Sequence, residues 1–85
     1  MFEYDPEKSQ RNQLKHGLDF EQAQRLWDDP RRIEIQAIST TEPRFIVIGQ
    51  IAGKHWSAII TYRSNVIRLI SVRRSRSEEV ELYER

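Results

Sequence analysis

The chain has 85 residues and a net charge of +1, with 38% hydrophobic and 32% charged residues and no cysteine. That length supports one hydrophobic core, so residues 1–85 are expected to form a single domain. The lack of cysteine excludes a disulfide framework, a thiolate zinc site and a thiol nucleophile. No basic stretch leads into an apolar one at the N-terminus, and no apolar run reaches membrane-spanning length, so the expectation is a cytoplasmic protein with no membrane association.

Taken in chain order, Phe2, Glu3 and Tyr4 alternate and predict a short strand. Asp5 before Pro6 reads as a helix N-cap followed by a first-turn proline, because the carboxylate can accept an orphan amide and proline has none to leave unpaired. This helix runs to about His16, with Gly17 as its left-handed stop. Asp19 caps a second helix, and Gln22 completes an approximate capping box. Phe20, Ala23 and Trp27 share a face of that helix, which Asp28, Asp29 and Pro30 end.

Strand patterns follow from Ile33. Residues 33–38 alternate weakly, residues 44–52 and 56–62 are rich in β-branched side chains, and residues 66–73 continue the pattern. The connections near 52–55 and 63–65 are short, which predicts an antiparallel meander and excludes parallel crossovers. A last helix is predicted over 75–83, with Ser75 or Ser77 as its N-cap. The expected class is α+β, in the order β-α-α-β-β-β-β-α: a single antiparallel sheet with two N-terminal helices and one C-terminal helix.

Two features of this layout stand out. The central strands are apolar on both faces, with Phe45, Val47 and Ile51 opposite Ile46 and Ile48, and Ala58 and Ile60 opposite Ile59. A sheet covered on one side alternates cleanly, so strong curvature or a protein partner on the second face is expected. The first helix has the opposite character, since Leu14 is its only large apolar side chain. At about 100° per residue, Lys8, Asn12, Lys15 and His16 fall within a stripe of about 100°. That stripe is either a solvated face or a face turned to a ligand.

Lys15 and His16 also lie where cations favour a helix C-terminus, worth about 0.3–1 kcal/mol each when charged. Histidine is equally the side chain best matched to proton transfer near neutral pH. Residues 63–76 contain Arg63, Arg68, Arg73, Arg74 and Arg76 and no acid, whereas Glu78, Glu79, Glu81 and Glu84 follow. On a near-neutral domain such a basic strip suggests a local anion site, against the alternative of an arginine-guarded edge strand. Glu79 and Tyr83 are i, i+4 neighbours. With Arg73 they form either a structural ion pair with a phenol cap or part of a set suited to RNA cleavage. His55 stands alone and reads as a surface or turn residue, and Asp28 with Asp29 as turn residues. No phosphate-binding glycine loop, nucleophile elbow or metal-ligand spacing is present.

RNA can be cleaved by side chains alone. A base removes the ribose 2′-hydroxyl proton, the oxygen attacks the adjacent phosphorus, cations stabilise the added charge, and an acid protonates the leaving 5′-oxygen.

The ordered set of Phe2-Glu3-Tyr4-Asp5-Pro6, Lys8, Asn12, Lys15-His16-Gly17, Phe20, Ala23, Asp29-Pro30, Arg44, Gly49, Arg68, Ile70-Ser71-Val72-Arg73-Arg74, Glu79 and Tyr83 spans nearly the whole chain. It resembles the BrnT-type toxins of type II BrnT/BrnA toxin–antitoxin pairs, small bacterial ribonucleases with a RelE-like fold. The resemblance implies an endoribonuclease that inhibits translation and growth and is neutralised by a BrnA-like antitoxin. It also implies that DNA is reached only indirectly, through the antitoxin, and that the protein works as a homo- or hetero-oligomer.

With the residue pattern, it yields an expected site that uses no metal and no cofactor. His16 is its proton-transfer group, with Glu79 as competitor, and Lys15, Arg68 and Arg73 are its catalytic cations. Lys8, Asn12, Arg44, Arg63, Arg74 and Tyr83 are expected on the RNA. The alternative is a non-catalytic binding module, or degenerate toxin homologue, that only pairs with its antitoxin. The acidic last helix favours it, since family members are often more basic there. Direct binding of duplex DNA is the weaker third reading, because no recognition helix with a basic face is present.

Overall fold

The computed structural model describes residues 1–85. The short strand β1 (Phe2–Glu3) leads into helix α1 (Pro6–His16), where the Asp5 carboxylate accepts the Glu7 amide at 2.9 Å and proline occupies the first turn. Gly17 ends α1 at φ 83°, and its amide returns to the Gln13 carbonyl. A left-handed residue there lets the chain reverse without a Cβ clash.

The second helical segment, Gln22–Asp28, is a 3₁₀ helix and not the α-helix expected. Its buried face explains the difference. Phe20, Ala23 and Leu26 are each no more than 1% exposed, a spacing of three that matches the three residues per turn of a 3₁₀ helix. Trp27, assigned to this face by an α-helical period, is only half-buried and meets the Phe2 ring edge-on at 4.8 Å. The expected box between Asp19 and Gln22 does form: the Gln22 amide donates to Asp19 at 2.7 Å, and the Asp19 amide to Gln22 at 2.9 Å.

Strands β2 (Ile33–Ala37), β3 (Arg44–Ile51), β4 (Lys54–Arg63) and β5 (Val66–Arg74) pair antiparallel in sequence, and helix α2 (Ser77–Glu84) closes the chain. The sheet is mixed, however, with strand order β1-β5-β4-β3-β2 and β1 parallel to β5. Short connections forbid parallel pairing only between the strands they join. Residues 4–65 lie between β1 and β5 and give ample length for a crossover.

Both tight hairpins turn on two residues of positive φ: Ala52 (52°) and Gly53 (78°), then Ser64 (50°) and Asn65 (68°). That pattern is the type I′ turn, whose twist suits paired strands. At α2 the N-cap is Arg76, neither of the expected serines, because the Glu79 carboxylate reaches back to accept the Arg76 amide at 2.8 Å.

The core lies between the sheet and the segment 18–26. Leu18, Phe20, Ala23 and Leu26 pack on Val47, Trp56, Ala58, Ile60, Leu69 and Val72. On the opposite face α2 covers the end bearing Ile48 and Ser57, both fully buried. Next to it Ile35, Ile46 and Ile59 form a cross-strand row that stays half-exposed, the second apolar face expected from the sequence. No helix is long and apolar enough to cross a membrane.

Candidate functional site

Helix α1 docks without an apolar stripe. Its buried residues are Ser9 and Asn12, while Leu14 is 83% exposed. The Ser9 hydroxyl accepts the Phe20 amide at 2.9 Å. Asn12 donates to the Leu18 carbonyl at 2.7 Å and accepts the Val72 amide at 3.2 Å. Since β1 pairs only as far as Arg68, the rest of β5 is an open edge, and the Asn12 carboxamide satisfies it in place of a strand.

This docking leaves a cleft of about 290 Å³ between α1 and β5. Lys8, Arg11, Lys15 and His16 line it from the helix, Ile70 and Ser71 from the strand, and Asn12 and Phe20 from the floor. The strand wall is shaped by an irregularity: Ile59 pairs with Ser71 but Ile60 with Leu69, so Ile70 bulges out of register. Such bulges re-aim side chains. The lining contains no carboxylate. The four salt bridges join His55 to Glu84, Arg63 to Glu42, Arg68 to Glu3 and Arg73 to Glu79, so none neutralises the cleft cations. An open groove lined by unpaired cations and an imidazole suits a phosphodiester.

Arg73 and Glu79 meet elsewhere, against α2. Their contact is bidentate, at 2.8 and 2.9 Å, and Ser57 adds a third bond to the carboxylate at 2.9 Å. The Arg73 guanidinium outweighs burial and, with the Arg76 amide and Ser57, holds the Glu79 carboxyl down at about 2. The same pairing pushes the Arg73 pKa up. Glu79 is therefore an ionised structural anchor with its lone pairs committed.

Tyr83, expected beside Glu79, donates its hydroxyl to Asp29 at 2.6 Å, and that bond raises its pKa. Burial pushes Asp29 up, but bonds from Tyr83 and from the Arg31 and Gln50 amides overcome it and leave the carboxyl below its usual range. Arg68 holds Glu3 at 3.1 Å beside β1. Arg74 donates to the His55 carbonyl and stacks on Trp56 at 5.6 Å, while exposed Arg63 lies 3.6 Å from Glu42. Arg44 pairs with Ala37 in the β2–β3 register, its Nε buried without a partner. His55 is a strand residue, 2.7 Å from Glu84. No three His, Asp or Glu side chains come together in a group that could hold a metal ion.

Thus the structure unites Lys8, Asn12, Lys15 and His16 in one cleft. It joins Arg73 to Glu79 outside that lining, and spreads Arg44, Arg63, Arg68, Arg74 and Tyr83 over other contacts. A family model described as the ribonuclease toxin, BrnT, of type II toxin–antitoxin systems matches residues 4–79. The chain belongs to this BrnT family. No curated protein matches it. The family match takes in the whole cleft and the Arg73–Glu79 pair but stops short of Tyr83.

The sequence reading missed Arg11 in this BrnT-family cleft. Its signal was present, since Arg11 is i+3 from Lys8 and i−4 from Lys15, so helical neighbours predict it on the same wall. It also missed Asp29 as a hub for three donors, for which an acid next to proline at a helix end gives only a turn signal.

Proposed function

We propose that this domain is the toxin of a type II pair. It cuts RNA internally by side-chain chemistry that needs no metal ion, thereby stopping translation and growth, and a BrnA-like antitoxin neutralises it. The observation that carries this reading is the unpaired cationic cleft with His16 in its wall. His16 takes the 2′-hydroxyl proton as the 2′-oxygen attacks phosphorus. Lys8, Arg11 and Lys15 stabilise the extra charge on the phosphoryl oxygens, and Lys15 supplies the proton to the leaving 5′-oxygen. Glu79 is the weaker candidate for proton transfer, because Arg73, Ser57 and the Arg76 amide already occupy its oxygens. Arg73 then acts by anchoring α2. The half-exposed row of Ile35, Ile46 and Ile59 is the surface best suited to the antitoxin.

Purified protein incubated with RNA in EDTA should give fragments ending in 2′,3′-cyclic phosphate. Intact RNA under those conditions, with no growth arrest on expression, rejects the enzyme. A second reading, a module that only pairs with its antitoxin, draws support from the exposed Glu78, Glu81 and Glu84 of α2, which repel RNA. It predicts tight antitoxin binding by a chain that leaves RNA uncut.

A further inference from the structure

We infer that the α1–β5 cleft grips RNA by its sugar–phosphate backbone and leaves the bases unread, so that its binding is nearly indifferent to sequence. This rests on the reading of the cleft as the RNA site. Base recognition in single strands needs either an exposed ring on which a base can stack or an amide edge free to pair with it. The cleft has two rings, Phe20 and His16, and one amide, Asn12; His16 is committed to the proton transfer, and Phe20 and Asn12 are spent on the fold. Phe20 is 1% exposed, with the Tyr4 ring against it at 5.6 Å. Asn12 is 7% exposed, and both ends of its carboxamide are bonded to backbone.

What remains for a ligand, besides the His16 imidazole at the 2′-hydroxyl, is charge and a hydroxyl. Lys8, Arg11 and Lys15 are exposed, and Ser71 offers its hydroxyl from the strand wall. Lysine ammonium groups are point charges that hold phosphates without reading bases. Arg11 has a planar fork able to read guanine, but an arginine beside two lysines along one helix wall is set out as a row of phosphate contacts. The net charge of +1 means that the molecule as a whole carries no general attraction for RNA. The part of the salt dependence lost in Arg11→Ala therefore reports this cleft.

The test is fluorescence-anisotropy titration of the full-length chain with short 2′-O-methyl RNA oligomers, which lack the nucleophile and stay uncut. Oligomers of U, A or C, and a U oligomer with a central G, should bind with Kd values within about threefold of one another, as sequence-tolerant sites do. Three phosphate contacts at about −0.7 each give a slope of log K against log salt of about −2. Arg11→Ala should weaken all oligomers alike and reduce the slope by about 0.7, whereas Lys54→Ala, outside the cleft, should leave it unchanged. A preference of about tenfold or more for one base, the scale of a direct base contact, overturns the inference while leaving the RNA site standing. An Arg11→Ala slope equal to wild type also overturns it. Failure of every oligomer to bind rejects the RNA site itself.

Discussion

Asn12 is a polar residue placed where a helix normally presents a hydrophobic one, and its two hydrogen bonds tie α1 to the following loop and to the open edge of β5. Asn12→Ala leaves the Leu18 carbonyl and Val72 amide without partners, and should cost about 2–3 kcal/mol in urea denaturation. A change under half that size would mean that water replaces the amide. Glu79 makes a different prediction. Its carboxyl is held at about 2 against an ordinary 4.5, so the native state binds fewer protons than the unfolded chain. The stability this provides is complete above about pH 4.5 and is lost as pH falls toward 2. At pH 7 Glu79→Gln should lower stability by about 2–3 kcal/mol, and the gap from wild type should narrow steadily on acidification below pH 4.5. A gap independent of pH would contradict the ion-pair account.

At the scale of elements, the β3–β4 hairpin carries a local conflict. Ala52 sits at φ 52° in a type I′ turn where asparagine followed by glycine is preferred. Ala52→Asn should therefore stabilise the protein by about 0.5–1 kcal/mol, readable as a higher thermal midpoint. Elements governed by neighbouring residues were legible in the sequence: Asp5 and Pro6 starting α1, Gly17 ending it, and Asp19 with Gln22 opening the next segment. The 3₁₀ geometry was also written there, in the spacing of Phe20, Ala23 and Leu26, but Trp27 gave an equally good α-helical pattern. The parallel pairing of β1 was not legible, because its partner lies more than sixty residues away. The same limit applies to the site. Periodicity identified the α1 stripe, yet only the packed structure shows that Asn12 faces inward and that Lys8, Arg11 and Lys15 face a groove.

Across the whole molecule, charged and apolar side chains divide between regions of opposite character. Paired charges anchor α2 over one end of the second sheet face, a half-exposed isoleucine row remains beside it, and unpaired cations collect where α1 meets β5. Under the function proposed above, an inhibitor would hold the apolar surface while the cationic groove carries the chemistry. The central claim is that His16 moves the proton, and single-turnover cleavage of end-labelled RNA in EDTA by wild type and His16→Ala tests it most directly. The variant should keep a thermal midpoint close to wild type, bind uncleavable RNA as wild type does, and cleave at least about 100-fold more slowly, the scale of general acid–base catalysis. Equal cleavage rates in a folded His16→Ala protein would contradict the account.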